Sequence, residues 1–173
     1  MEQLTIRKAT MEDVVPLAEL VNSAYRGDAS RKGWTHEADL IEGDKRITEQ
    51  ALLKLISTPG TNILVTISDN EINGCVLLEK QDKDLYLGML SVSPFMQAKG
   101  TGKFLLQQAE IFALHEGMEA IVMTVISVRH ELIEWYKKRG FTDTGERKPF
   151  PEDGEFGMPK QKLEFAVLKK QLR

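Results

Sequence analysis

The sequence predicts a mixed α/β domain with the element order β-α-α-β-β-β-α-β-α-β-β around a central mixed sheet. Two observations lead to this prediction. Three apolar segments separated by short polar turns follow one another in the middle of the chain, which is typical of an antiparallel meander. Two later helical segments each lie between strands, which is typical of crossover connections. A chain of 173 residues suits one domain, so we expect residues 1–173 to form a single unit.

The N-terminal part of the chain predicts one strand followed by two helices. Leu4–Arg7 is a short strand-like segment. The spacing of Thr10 and Asp13 fits a capping box, and apolar residues then recur at i, i+3, i+4 and i+7, so a first helix is expected over Met11–Tyr25. A second helix is expected over Ile47–Ser57, where a Pro-Gly pair follows.

Two segments show no clear period. Arg26–Arg46 mixes glycines with charged and aromatic residues, and part of it is expected to be helical from Thr35. Lys148–Pro159 is rich in proline and glycine. Long irregular segments in compact domains are often binding loops or lids, so both are candidates for a substrate site.

The remaining elements follow from apolar runs and helix-stop signals. The meander is expected over Ile63–Ile67, Gly74–Glu79 and Leu85–Val92. The later elements, in chain order, are a helix that begins at Gly100-Thr101-Gly102 and ends near His115, a buried strand over Ile121–Ile126, a helix over Glu131–Arg139 and the strands Phe141–Thr144 and Leu163–Leu168.

Composition excludes several classes of protein. Lys plus Arg is 23 and Asp plus Glu is 26, a net charge of −3 that argues against a nucleic-acid-binding protein. The chain shows no secretory signal and no membrane-spanning apolar run, so a cytoplasmic protein without a membrane partner is expected. Cys75 is the single cysteine and is expected to be a buried structural thiol. His36, His115 and His130 show no ligand spacing, so no metal site is expected.

The most informative segment is the glycine turn Gln97-Ala98-Lys99-Gly100-Thr101-Gly102-Lys103 at the start of an apolar helix. The N-terminus of a helix presents unpaired N–H groups and the positive end of the helix dipole, which together favour anions. Glycines there leave room for a phosphate to approach the backbone, and lysines add positive charge. The segment therefore predicts a pyrophosphate site, although a turn that serves only the backbone stays an alternative.

Two common phosphate-binding motifs do not fit this turn. A P-loop requires Ser or Thr after Gly-Lys, where Phe104 stands, and a first glycine where Gln97 stands. The dinucleotide fingerprint requires a third glycine at the position of Leu105. It also requires an acidic residue near the end of the next strand, which carries none. A nicotinamide cofactor is therefore not expected.

Two motifs resemble the GCN5-related N-acetyltransferase (GNAT) superfamily. Gln97-Ala98-Lys99-Gly100-Thr101-Gly102 is similar to its acyl-CoA motif, Gln/Arg-x-x-Gly-x-Gly/Ala, which follows a strand and opens a helix. The segment 129–141 is similar to its second motif, in which a tyrosine, here Tyr136, precedes a Gly-Phe pair. The predicted element order matches the family fold over nearly the whole chain. The resemblance implies a GNAT-like fold and an N-acetyltransferase that uses acetyl-CoA as co-substrate.

The resemblance also implies roles for individual residues. The backbone of Leu90, Ser91 and Val92 is expected to bind the pantetheine arm, and the amides from Gln97 to Lys103 are expected to bind the pyrophosphate. Tyr136 is expected near the thioester sulfur. Arg129 stands where many members carry an asparagine that contacts the pantetheine arm. Since arginine only donates hydrogen bonds, Arg129 is expected to contact the cofactor differently, or to reach a phosphate or the acceptor.

The implied reaction is direct attack of a primary amine on the acetyl carbon. The amine must lose a proton, the oxyanion needs donors such as the N–H groups near Val92, and the leaving thiolate needs an acid. A tyrosine, with an ordinary pKa near 10, suits the last task, and Tyr136 is the candidate; packing is its alternative role. Glu79 is the candidate base because it ends the strand beside Leu85–Val92; Glu37 and Asp39 are alternatives.

The acceptor is expected to be a small-molecule amine held between the two irregular segments. The mixed charges of these segments leave open whether it is a polyamine, an amino acid, an antibiotic or, as a different class, a protein lysine. Trp34 and Phe150 are candidate walls of the pocket, and Glu37 and Arg147 are candidates for orienting the acceptor. Two other functions stay open: transfer of a longer acyl group, with Met89 and Met123 near the acyl pocket, and acyl-CoA binding without transfer. A homodimer is common in the family, but no exposed apolar stripe demands one.

Overall fold

The computed structural model describes residues 4–25, 41–42, 47–93, 100–150, 158–159 and 162–172. The strands in these ranges are β1 (Thr5–Lys8), β2 (Ile41–Glu42), β3 (Thr61–Ser68), β4 (Glu71–Gln81), β5 (Asp84–Val92), β6 (Ala120–Ile126), β7 (Thr142–Pro149), β8 (Met158–Pro159) and β9 (Glu164–Gln171). The α-helices in the same ranges are α1 (Val14–Tyr25), α2 (Glu49–Ser57), α3 (Thr101–His115) and α4 (His130–Lys137).

A seven-stranded mixed sheet, with strand order β1-β3-β4-β5-β6-β9-β7, forms the centre of the fold. Helices α1 and α2 cover one face, where Leu17 and Leu52 pack with Val65 and Cys75. Helices α3 and α4 cover the other face, where Leu105 joins a second apolar cluster. The mixed α/β fold predicted from the sequence is therefore confirmed, and Cys75 is a buried thiol as expected.

Strands β5 and β6 are parallel neighbours that part after a short ladder. Their register pairs are Asp84↔Ala120, Leu85↔Ile121 and Tyr86↔Val122. Beyond this point β5 still pairs with β4 as far as Val92, with one register shift, and β6 pairs with β9 as far as Ile126. Each strand keeps its outer neighbour, so the sheet opens between them while both strands stay hydrogen-bonded.

The first helix begins three residues later than predicted. Met11–Asp13 forms a 3₁₀ turn, and α1 begins at Val14. The reason is Pro16, which lacks the N–H that an α-helix starting at Met11 would need to bond the Glu12 carbonyl. The Asp13 carboxylate instead accepts a hydrogen bond of 2.7 Å from the Thr10 backbone N–H, which is the carboxylate half of the predicted capping box.

Strand β7 is longer than the predicted Phe141–Thr144. The prediction was too short because a bulge interrupts the alternation of residues between the two faces of the strand. Asp143 pairs with Leu168 and Arg147 with Ala166, so three residues of β7 oppose one residue of β9. Gly145 within the bulge has φ +86°, a left-handed conformation that favours glycine. The other predicted elements are present in the described ranges with ends shifted by three residues or fewer.

A small second sheet joins the two irregular segments. Ile41 pairs with Pro159 and Glu42 with Met158, as the antiparallel strands β2 and β8. The sequence did not predict these strands, since two-residue strands are too short to show a period. The helix expected from Thr35 lies outside the described residues as far as residue 40, and residues 41–42 are strand.

Helix α3 approaches the sheet closely at a glycine. A Cβ atom at Gly74 on β4 would lie 2.5 Å from Oγ1 of Thr66 and 3.1 Å from Cγ2 of Thr101, so only glycine fits there without displacing its neighbours. Gly74 is the register partner of Val92 at the end of β5. The close approach therefore places the first turn of α3 beside the end of β5.

Asp13 provides a test of the start of α1. The Arg7 guanidinium donates hydrogen bonds of 2.7 and 3.0 Å to Asp13 and lowers its pKa, and the Thr10 N–H lowers it further. A carboxyl with a lower pKa when folded adds stability above its unfolded pKa of about 4, and this is lost as the pH falls through the folded value. Asp13→Asn should therefore lower the unfolding free energy at pH 7 by about 1 kcal/mol, a loss that shrinks toward pH 3.

The measurement is chemical unfolding of both proteins between pH 3 and pH 8. Asp82→Asn, in the exposed turn between β4 and β5, is the matched control and should leave stability nearly unchanged. An equal loss in the two variants, or a loss at Asp13 that does not depend on pH, would contradict the role given to Asp13.

Candidate active site

A cavity of about 820 Å³ opens where β5 and β6 part. Its described walls come from strands β4, β5 and β6, from one side of α2 and the residues just before and after it, from α4 with its N-cap, and from two phenylalanines near the end of β7 and the start of β9. The described lining residues are Ile47, Thr48, Ala51, Lys54, Leu55, Thr58, Leu77, residues 86–90, residues 123–126, Arg129, Leu132, Tyr136, Phe150 and Phe165.

The cavity passes through the sheet from one face to the other. Leu77 and Met89 in its lining belong to the apolar cluster under α1 and α2. Leu90, Leu132 and Tyr136 in the same lining belong to the cluster under α3 and α4. Two molecules that enter from opposite faces can therefore meet inside the opening.

A β-bulge shapes the wall that β5 contributes. Met89 and Leu90 together oppose Val76 of β4, and Met89 has φ +53°, which is rare for a residue other than glycine. The Met89 carbonyl accepts a hydrogen bond of 2.9 Å from Oγ of Ser91, and Sγ of Cys75 lies 3.6 Å from it. The bulge thus alters the direction of β5 within the cavity wall. The backbone of Leu90, Ser91 and Val92, the predicted pantetheine site, follows directly.

Tyr136 lies on α4, one helical turn after Leu132, and both side chains line the cavity. Tyr136 is only 5% exposed to solvent. The ring makes edge-to-face contacts with Trp135 and Phe141, at centroid distances of 5.0 and 5.8 Å. The structure therefore gives Tyr136 both packing contacts and a position in the cavity wall.

The start of α3 has the form that an anion site requires. Gly100 is the N-cap residue with φ +85°, and it supplies no side-chain cap to the amides of the first turn. The Phe104 N–H bonds the Gly100 carbonyl at 2.9 Å, so the amides before Phe104 precede the helical ladder. Thr101 and Gly102 lie in this turn. Gln97, Ala98 and Lys99, the other predicted pyrophosphate contacts, lie outside the described residues.

A basic depression of about 280 Å³ lies beside this turn. Lys103 lines it together with Lys138, Arg139 and Lys170, and Glu110 is the acidic residue among its described lining. Lys170 is paired with Glu110 and donates to the Arg139 carbonyl. The Arg139 guanidinium stacks 3.8 Å above the Trp135 ring. Positive charge therefore accumulates next to the first turn of α3.

Two other predicted site residues, Arg129 and Glu79, lie in the cavity wall and beside it. Arg129, the N-cap residue of α4, lines it. Glu79 lies on the same face of β4 as Leu77 and pairs in register with Tyr86, which lines the cavity, while Glu79 is not among the described lining residues. The structure therefore places Glu79 beside the cavity on the α2 side, and Arg129 in its wall.

The predicted acceptor residues separate into three groups. Phe150 lines the cavity, is 5% exposed and packs against Phe165 at a centroid distance of 5.2 Å. Arg147 is outside the described lining and donates two hydrogen bonds of 3.0 Å to Asp143, which lower the pKa of Asp143. Trp34 and Glu37 lie outside the described residues, as does Asp39.

Sequence reasoning missed the contribution of α2. Ala51, Lys54, Leu55 and Thr58 line the cavity at the spacing of one helix face. That spacing is visible in the sequence, but an exposed helix face gives no sign of what it faces. Tyr86 and Thr124 were also missed; their hydroxyls lie 3.4 Å apart across the opening between β5 and β6. Met89 and Met123, named for the acyl pocket, both line the cavity.

No group of three or more His, Cys, Asp or Glu side chains in the described ranges is placed to hold a metal ion. No helix among those described has the length and apolar character needed to cross a membrane.

The sequence profile of the acetyltransferase (GNAT) family matches residues 18–141. The chain belongs to this family, as the resemblance implied. The protein is therefore an acetyltransferase, and enzymes of this family use acetyl-CoA as co-substrate. Members of the family act on amine acceptors that are small molecules or proteins. No curated protein matches the sequence significantly.

Solved structures share the fold at low identity. The PaiA N-acetyltransferase of Thermoplasma acidophilum, solved with coenzyme A, is 19% identical, covers 98% of this chain and 99% of its own, and has a TM-score of 0.72. YncA of Salmonella typhimurium, solved with acetyl-CoA, is 21% identical at 99% and 95% coverage, with a TM-score of 0.72. The ribosomal-protein-S18-alanine N-acetyltransferase of Escherichia coli is 11% identical at 98% and 94% coverage, with a TM-score of 0.74.

Gly102 tests the anion site at the start of α3. A Cβ at Gly102 would lie 3.5 Å from the Trp135 ring, an ordinary contact, so both Gly102→Ala and Gly102→Asp should fold. An acidic residue in the first turn also favours the helix dipole, so Gly102→Asp should raise the unfolding free energy of the free protein by about 0.5–1 kcal/mol. The same charge should weaken coenzyme A binding at least about tenfold, since it repels the pyrophosphate.

Calorimetric titration with coenzyme A measures this effect, and Gly102→Ala is the steric control. The Asp variant should bind more weakly than the Ala variant. Equal affinity in the two variants would place the pyrophosphate elsewhere.

Proposed function

We propose that the protein transfers the acetyl group of acetyl-CoA to a primary amine of a small molecule by direct attack within a ternary complex. The observation that carries the proposal is the cavity through the sheet. It lets acetyl-CoA approach from the α3 and α4 face while an acceptor enters from the α2 face. Reaction without a covalent enzyme intermediate requires such an arrangement, because both substrates must be bound at once.

The proposed position of acetyl-CoA follows the two features at the end of β5. The pyrophosphate lies on the amides from Gln97 to Lys103 at the start of α3. The pantetheine arm then runs along the backbone of Leu90, Ser91 and Val92, with Arg129 opposite. The close approach of α3 at Gly74 supports this placement, because it brings the helix N-terminus next to Val92.

In the proposed reaction one bond forms, between the amine nitrogen and the acetyl carbon, and one bond breaks, between that carbon and sulfur. The amine nitrogen attacks the acetyl carbon, and backbone N–H groups near Val92 stabilise the oxyanion. The C–S bond then breaks, and the thiolate takes a proton from the Tyr136 hydroxyl, which recovers it from solvent. Glu79 accepts the amine proton through water, since it lies beside the cavity and outside its described lining.

The small-molecule acceptor is supported by the shape of the site. A cavity of about 820 Å³ with mostly apolar walls is in the range of small-molecule pockets. The names of the structural relatives differ in acceptor, and one acts on the alanine of ribosomal protein S18. The fold therefore does not choose the acceptor, and the cavity is the argument for a small molecule.

Release of coenzyme A in the presence of primary amines tests the function and the role of Tyr136 together. Wild-type protein should release coenzyme A only when an amine is present. Tyr136→Phe keeps the ring contacts with Trp135 and Phe141 and should lower kcat about 10²-fold with little change in acetyl-CoA affinity. Binding of acetyl-CoA without amine-dependent release would instead indicate a binding module, and wild-type turnover in Tyr136→Phe would show that the tyrosine only packs.

Glu79 is tested by its pH profile. Glu79→Gln should lower kcat/KM about 10²-fold near neutral pH, and less at high pH where the amine is already neutral. Glu71→Gln, at the start of the same strand, is the control and should keep wild-type activity. A wild-type profile in Glu79→Gln would move the base to another group or to solvent.

A further inference from the structure

We infer that the acceptor is an amine that also carries a carboxylate and a short apolar side chain, as an apolar α-amino acid does. The inference rests on the proposed function and concerns the acceptor end of the same cavity. It places Lys54 on α2 as the group that binds the carboxylate.

The charged residues in the cavity wall favour an anionic acceptor. The charged residues in the described lining are Lys54 and Arg129, and both are cations. Lys54, the cation on the α2 side of a largely apolar wall, attracts an anion and disfavours an acceptor that carries several ammonium groups. A polyamine or a polycationic acceptor therefore fits the described wall less well than a molecule with one acidic group.

Lys54 lies where it can bind the carboxylate of an acceptor. Lys54 lies on the cavity side of α2 with Ala51, Leu55 and Thr58, and Thr48 lines the cavity one turn earlier. Its side chain is exposed, so a long flexible ammonium is available at the entrance on the α2 face. The Thr48 hydroxyl accepts from the Ala51 N–H at 3.1 Å and retains its own hydrogen to donate. A carboxylate at this entrance meets a cation and a hydroxyl donor.

The apolar residues of the cavity wall favour an acceptor with an apolar side chain. Leu77, Met89, Phe150 and Phe165 line the space between α2 and the opening in the sheet. These side chains suit an apolar group and offer nothing to hold a second ammonium. A molecule with its carboxylate at Lys54 and its apolar group on these walls directs its amine toward the opening.

The experiment compares three forms of each acceptor in the coenzyme A release assay. The acceptors are valine, leucine, methionine and phenylalanine, each with its amide and its decarboxylated amine, together with spermidine. The free amino acids should show kcat/KM at least about tenfold above their amides and above spermidine, the effect of a typical charge-assisted hydrogen bond. Lys54→Ala should remove that preference, and Lys54→Arg should retain most of it.

Lys83→Ala is the matched control, because Lys83 is an exposed lysine in the turn between β4 and β5, outside the cavity lining. It should leave the preference unchanged. Faster reaction of the amides, the decarboxylated amines or spermidine in the wild type overturns the inference while the proposed function stands. A preference for amino acids that survives Lys54→Ala overturns the role of Lys54. If no amine of any kind releases coenzyme A, the proposed function fails as well.

Discussion

The parting of β5 and β6 after Tyr86 and Val122 is the constraint on which the rest of the structure depends. A strand that loses a neighbour inside a domain normally leaves buried N–H and C=O groups without partners. Here β4 pairs with β5 on both sides of the bulge at Met89 and Leu90, and β9 pairs with β6 along the whole opening, so each strand keeps one neighbour. The sheet can therefore contain a cavity in its middle without losing its core.

The opening also explains why the two layers of helices have different tasks. Helix α3 presents the amides of its first turn beside the end of β5, and Gly74 makes that approach possible because no side chain separates helix and strand. Helix α4 brings Tyr136 to the same side of the opening. Helix α2, on the opposite face, contributes a mixed polar and apolar wall with Lys54 at its entrance. The proposed binding of two substrates thus rests on different helix packing on the two faces of the sheet.

Most regular elements could be predicted because each has its own period or stop signal. The apolar spacing of α1 and α3, the meander of β3, β4 and β5 and the left-handed Gly140 after α4 are visible in short windows. The errors lie where a local exception interrupts the pattern. Pro16 delays α1, the bulge around Gly145 hides the length of β7, and the two-residue strands β2 and β8 have no period to read.

The family, the mixed fold and the candidates at the start of α3 and on α4 could be predicted from the sequence, because these depend on residues close together in the chain. The folded structure alone shows which distant residues share the cavity. It placed Phe150 in the wall, engaged Arg147 with Asp143, set Glu79 beside the opening and added the face of α2. The physical reason is that a cavity wall is assembled from segments far apart in sequence, and no local pattern encodes how two strands part or which helix face then borders the gap.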